Sequence, residues 1–318
     1  MPEASRRDPV LAQCRAAIRG GSKSFAQAAR LFAPWTRDAA QLLYAWCRHC
    51  DDEIDGEVLG RPAELPAHPE QKLAEMRDRT RRALQGEPME QPEFQALQRV
   101  VDLHRIPRRY AFELLEGFAM DVERRRFRSL DDVLEYCYHV AGVVGLMMAH
   151  IMGSREQAAL RHAADLGLAL QMTNIARDVI HDASIGRIYL PLDWLSEAGV
   201  PPSEISEARH RTALHGVVMR LLREADRYYA SGDRGLAYLG FRSAWAVGTA
   251  RQVYWEIGRL VERRRESAWD RRAVVPRWRQ RVWVARALAR AVHCRLARER
   301  WLEAAEPPDL WTRARAFD

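Results

Sequence analysis

The chain lacks what would tie it to a bilayer core, an oxidising compartment or a nucleotide cofactor. It has no run of 18 or more apolar residues. The longest approach, Val140 to Gly153, spans about 14 and contains His150, which suits a buried helix better than a membrane span. The five cysteines, Cys14, Cys47, Cys50, Cys137 and Cys294, are too few and too scattered for a disulfide framework. No secretory signal opens the sequence, so the expected place is a reducing cytoplasm. Neither GxGxxG nor GxxxxGK[ST] occurs, which leaves nicotinamide, flavin and P-loop chemistry without support. The ten histidines are dispersed and single out no Ser-His-Asp arrangement. Lysine is nearly missing, with two against 48 Arg.

What is present is helical periodicity. Apolar residues recur at three and four almost throughout, and no segment alternates as a strand would, so the expected fold is all-α. Breaks fall at Arg61 to Pro69, Gly86 to Pro92, Ile106-Pro107, Val200 to Ser203, Val274 to Pro276 and Pro307-Pro308. With no internal repeat or dividing linker, residues 1–318 are expected to form one domain. Ala39 to Cys50, Tyr136 to Met152 and Ala163 to Ile180 are apolar nearly all round and belong in the middle of a bundle. Gly142 and Gly145 leave room beside the backbone of the second, for close helix packing or for part of a long apolar channel.

Two acidic clusters interrupt this pattern. Asp51 and Asp55 share one face of a helix, and Asn174, Asp178 and Asp182 share another. Like charges four apart weaken a helix by roughly 0.2–0.5 kcal/mol per pair. Two carboxylates about 6 Å apart repel by about 3 kcal/mol at an effective dielectric near 20. Either cluster alone could be a solvated face or a buried polar network; together they read as a site for a hard cation and a diphosphate, with Mg²⁺ the first choice. The first cluster sits near a helix end, with Gly56 placed to cap it. Gly20 to Phe25 adds Ser22, Lys23 and Ser24, suited to phosphate oxygens at a helix start. Cys47-Arg48-His49-Cys50 has a CxxC outline, but without a second ligand pair it reads as packing rather than zinc or redox chemistry. Residues 251–318 carry 17 Arg against nine acidic groups: either a solvated arginine-rich face or a surface for anionic lipid or a polyanion. No recognised nucleic-acid motif accompanies it, and nucleic acid is not an expected partner.

Taken with SKSF at Ser22 to Phe25, YAWCRHCDDEID at Tyr44 to Asp55, LEGFAMDV at Leu115 to Val122, YCYHVAGVVG at Tyr136 to Gly145, and QMTNIARDVIHD with GRIYLP at Gln171 to Pro191, the chain resembles the squalene and phytoene synthase family. The resemblance is strongest over residues 20–269 and weaker in the basic helical segment from about 270 to 318. It implies an isoprenoid-synthase helical bundle around an apolar cavity. It also implies Mg-dependent head-to-head condensation of two geranylgeranyl diphosphates, through prephytoene diphosphate, to phytoene. By the same resemblance, Asp51, Asp55, Asn174, Asp178 and Asp182 would hold Mg²⁺, or Mn²⁺ in its place. Ser22, Lys23, Ser24, Arg48, Arg177, Gln171 and Tyr189 would bind diphosphate, and Tyr44, Tyr136 and Tyr254 would surround the reacting centre. No NADPH is expected. Downstream carotenoid enzymes and peripheral contact with the inner face of the cell membrane are the further associations implied. His181 departs from the family pattern, which is usually acidic there. The alternatives are a squalene or dehydrosqualene synthase acting on farnesyl diphosphate, a chain-elongating enzyme or cyclase with a different second motif, and a non-catalytic helical assembly protein, whose metal motifs should be eroded.

Overall fold

The computed structural model describes residues 8–20, 28–55, 57–58, 61–62, 68–303 and 310–311, with the backbone alone at 16–20, 55, 57–58 and 61–62. The expected all-α architecture is present. The helices are α1 (Pro9–Gly20), α2 (Pro34–Asp55), α3 (Pro69–Leu84), α4 (Pro92–His104), α5 (Arg109–Val122), α6 (Leu130–Cys137), α7 (Val143–Ile151), α8 (Gln157–Ser184), α9 (Leu192–Glu197), α10 (Arg211–Gly235), α11 (Phe241–Arg264), α12 (Arg277–Leu296) and α13 (Arg298–Glu303). After α2 a short ribbon departs from the helical reading: Glu57 lies opposite Pro62 and Val58 opposite Arg61. Gly56 and Pro307-Pro308 lie outside the described residues.

Helix ends follow residue chemistry. Pro69 and Pro92 sit in the first turns of α3 and α4, where a missing N–H leaves no intrahelical bond unmade. Ser129 and Asp132 form a reciprocal capping box at the start of α6. Gly186, at φ +81°, takes the left-handed conformation after α8 and turns the chain back toward the bundle.

The three all-round apolar segments are central, as their composition demands. α8 runs through the middle and touches α6, α7, α10 and α11. The segment from Tyr136 onward is not one continuous α-helix, because Tyr138–Gly142 widens into a π turn between α6 and α7. Glycine decides how closely this segment meets α8. A Cβ on Gly145 would press into the Ala163 carbonyl, and one on Gly167 into the Ala141 carbonyl. The room beside Gly142 and Gly145 is thus used for packing, although Gly145 also borders the central cavity. Buried polar links join α8 to α10: Ser231 donates to Asp165 and meets His162 Nδ1 at 2.8 Å, and Thr173 shares a 2.8 Å hydrogen bond with Tyr229. Each replaces water lost on burial, which holds the two helices in one register.

Gly145→Ala is expected to lower stability by roughly 1–3 kcal/mol, because the opposing atoms are backbone and cannot rotate aside. Denaturant unfolding of the parent and the variant measures it, and equal midpoints would contradict the close contact.

Candidate active site

Helical spacing on α2 sets Tyr44, Arg48 and Asp51 on one wall of a cavity of about 480 Å³. α8 contributes Gln171 and Asn174, α11 Tyr254, α5 Asp121, and the end of α6 Tyr136. Apart from His162, the rest of the lining is apolar, including Phe32, Leu114, Val144, Met148, Leu170 and Val247. The volume lies within the range of about 300–1,000 Å³ usual for ligand sites, and its few polar groups converge from separate helices.

Arg48 Nη1 donates to Asp51 Oδ2 at 2.9 Å, and Arg48 also pairs with Asp52 at 2.5 Å. The simple helix-face salt bridge therefore exists, and it aims a guanidinium and a carboxylate into the same cavity. Across from it, Asn174 Nδ2 donates to Gln171 Oε1 at 3.2 Å. Asn174 Oδ1 is buried and accepts from no described group. An unsatisfied buried carbonyl costs about 1–3 kcal/mol, a deficit that a hard cation would remove.

One turn onward, Arg177 Nε lies 2.9 and 3.0 Å from the two oxygens of Asp178. Arg272, from the loop before α12, lays Nε and Nη2 on the same carboxylate at 3.1 and 2.9 Å. Burial works to raise the Asp178 pKa, but Arg177 and then Arg272 hold it below the ordinary carboxylate value. Asp182 fares differently. Burial first, and the charge of Asp178 second, push its pKa up to about 8. Two acids on one helix face are thus split into one that is ionised and one that keeps its proton at neutral pH.

Asp121 was not singled out by sequence reasoning. Its carboxylate accepts from Tyr136 Oη at 3.0 Å and from Tyr189 Oη at 2.6 Å, while the two rings stack with centroids 4.7 Å apart. Burial, then the charge of Asp121, raises both phenols well above their ordinary pKa, so they remain donors. The available signal was the setting of Asp121 in LEGFAMDV, directly after the apolar Phe118, Ala119 and Met120. Arg272 gave none, standing 94 positions from the carboxylate it holds.

The structure thus brings Tyr44, Arg48, Asp51, Tyr136, Gln171, Asn174 and Tyr254 to one cavity. Arg177, Asp178, Asp182 and Tyr189 do not line it; Tyr189 joins it through Asp121, and the other three occupy the next turns of α8. Ser22, Lys23 and Ser24 lie outside the described residues, as does the side chain of Asp55. Among the described residues no three His, Cys, Asp or Glu side chains form a ready ligand cluster. The oxygen donors nonetheless suit a hard cation, because an orphaned amide oxygen and the carboxyl groups of Asp178 and Asp182 lie on the same helix, and a cation would take the place of the Asp182 proton. His181 is exposed, away from the cavity. Burial, then the charge of Asp51, drives the Cys47 thiol up to about 12, and burial raises Cys50 as well. Neither is a thiolate at neutral pH, consistent with packing.

A helical bundle around an apolar cavity, acidic and guanidinium-bearing at one end, is the architecture of enzymes that handle prenyl diphosphates. The chain belongs to the squalene/phytoene synthase family, whose profile matches residues 18–279. It is 52% identical over 250 residues to a 15-cis-phytoene synthase from Pantoea ananas, covering 78% of this chain and 81% of that one. With a 15-cis-phytoene synthase from Enterobacter agglomerans it shares 48% identity over 295 residues, 92% and 98% of the two chains. Among solved structures, a dehydrosqualene synthase in complex with ligand superposes with a TM-score of 0.80 at 26% identity, over 88% of this chain and 95% of that one. A squalene synthase from Alicyclobacillus acidocaldarius shares the fold, with a TM-score of 0.72 at 23% identity over 80% and 94%. The family acts on prenyl diphosphates and generally uses a divalent metal.

Because the folded pKa of Asp182 is raised from 3.8 to about 8, its contribution to stability is full below about pH 4 and is lost as pH rises through about 8. Without divalent metal, the parent should therefore lose stability relative to Asp182→Asn across that window. Unfolding midpoints of both proteins in chelator measure it, and a difference independent of pH would contradict the assignment.

Proposed function

We propose that this chain is a phytoene synthase of carotenoid biosynthesis, joining two geranylgeranyl diphosphates head to head, with residues 1–318 acting as one domain. The carrying observation is the division of the cavity into an acidic and guanidinium-bearing mouth and a long apolar interior. Two hydrocarbon chains need such an interior, and two diphosphates need such a mouth. The names of relatives near 50% identity support the same substrate and a 15-cis product.

We assign Asp51, Asp55, Asn174, Asp178 and Asp182 to the divalent metal, taken as Mg²⁺ with Mn²⁺ able to replace it. When bound, the ion takes up negative charge as an allylic diphosphate departs. Arg48 on α2 and Arg177 on α8, with Ser22, Lys23 and Ser24, grip the diphosphate oxygens, and Gln171 and Tyr189 complete that shell. Fixed donors of this kind act where charge develops, in a site from which water is excluded. Tyr44, Tyr136 and Tyr254 border the reacting centre, where ring faces stabilise the allylic cation. Asp121 holds the Tyr136 and Tyr189 hydroxyls, so those rings keep their place as the substrate changes shape. The second chain attacks the cation to give a cyclopropyl diphosphate, prephytoene diphosphate. Loss of its diphosphate, rearrangement and loss of a proton give phytoene. Apolar walls keep water from trapping either cation.

Purified protein incubated with geranylgeranyl diphosphate and Mg²⁺ should yield phytoene in the lipid extract, with Asp51→Ala and Asp178→Ala each reducing the rate by roughly 10²–10³-fold. Turnover of farnesyl diphosphate without turnover of the longer substrate would move the assignment to a squalene-type enzyme. Arg272→Ala frees Asp178 from one of its two guanidinium partners, so Mg²⁺ should bind the substrate-free protein roughly tenfold more tightly, about 1.4 kcal/mol. Titration calorimetry reads this directly, and unchanged affinity would remove Asp178 from the proposed metal set.

A further inference from the structure

α12 has a surface that the reaction does not use. Its inner side packs on α11 through Ala287, Ala291 and Cys294, and Trp245 Nε1 donates to the Val284 carbonyl at 2.9 Å. On the outer side, Trp278, Val282, Ala285, Ala289, Val292 and Leu296 recur at alternating spacings of four and three, forming one exposed stripe. Trp278 is 62% exposed, Val282 41%, Val292 42% and Leu296 83%, and Leu302 on α13 adds another exposed apolar side chain. A run of large apolar groups along one exposed face marks an interaction surface rather than scattered exposure.

The flanking charge is of one sign. α12 contains six Arg and no carboxylate. Arg279 and Arg290 are taken up by Glu256 and Asp233 beneath the helix, whereas Arg277, Arg281, Arg286 and Arg295 have no acidic partner among the described residues. Two copies pairing through this stripe would set arginines against arginines. An anionic bilayer meets the pattern instead, with arginines among the headgroups and the apolar ridge at the acyl boundary.

The location adds a reason. α11, directly beneath, lines the cavity with Ala246 and Val247. A second crevice of about 230 Å³, reaching Arg295 and Arg298, shares Leu236 and Leu239 with the main cavity. The apolar end of the cavity therefore lies next to this face, behind those two leucines. We propose that the outer face of α12 is a docking surface for an anionic bilayer, seating the apolar end of the cavity beside the acyl chains that receive a hydrocarbon product. Only the nature of that product rests on the function proposed above.

The test uses the full chain, with vesicles of phosphatidylcholine alone or mixed with phosphatidylglycerol, and sedimentation to measure bound protein. The parent should bind the anionic vesicles at low salt and the neutral ones at least roughly tenfold more weakly. Val292→Asp with Leu296→Asp, and separately Arg281→Glu with Arg286→Glu, should each lower anionic binding roughly tenfold or more, while phytoene formation from detergent-dispersed substrate and helical circular dichroism stay unchanged. Parent-like binding by both double variants, or equal binding to the two vesicle types, overturns the proposal. So does a dimer in light scattering that Val292→Asp with Leu296→Asp dissociates, which would assign the stripe to a second copy. Vesicle binding without phytoene synthesis would sink the proposed reaction and leave the docking face standing.

Discussion

Oxygen ligands placed in the least polar part of the molecule are the constraint around which the rest is arranged. α8 is a core helix on most sides, yet its C-terminal half carries Asn174, Asp178 and Asp182. Water cannot solvate these groups freely, so the protein answers each one separately. Arg177 and Arg272 neutralise Asp178, a retained proton neutralises Asp182, and the Asn174 oxygen is left unanswered among the described residues. Such an arrangement is poor for stability and suited to function, since a residual electrostatic deficit is what makes a polar cavity bind its ligand.

The opposite wall solves a related problem by different means. Asp51 and Asp52 share one guanidinium, that of Arg48, which offsets part of their charge within a single helix. Asp121 accepts from two phenols, which gives it a rigid surrounding of stacked rings. Between the walls, the glycine contacts draw α7 and the π turn close to α8. Apolar packing thus fixes the distance across the cavity, and polar pairing fixes the direction in which each group points.

The parts legible in the sequence were those encoded by helical period. Tyr44, Arg48 and Asp51 reach the cavity because 3.6 residues per turn places them on one stripe, and Gln171 and Asn174 do so for the same reason. Asp178 and Asp182 share that face by spacing, but side-chain pairing turns Asp178 toward Arg272, which periodicity along one helix cannot reveal. Asp121 was hard to pick out because it is one of three acids on α5, and an acid in an amphipathic helix ordinarily faces solvent. The π turn was illegible too, since no residue in YHVAG demands the wider hydrogen bond. The basic character of residues 251–318 was plain, whereas the one-sided apolar stripe on α12 emerged only once the buried side of that helix was known.

The π turn also acts as a phase setter. One residue more than an α-helical turn advances the following helix by about 100° relative to an uninterrupted one. Tyr136, before the turn, and Gly145, after it, can therefore each meet a different neighbour, the first Asp121 on α5 and the second the backbone of α8. A straight helix through the same segment would have to give up either the tyrosine's orientation or the close seam. By absorbing that mismatch locally, the turn lets the reacting end and the packing end of one continuous segment be tuned independently.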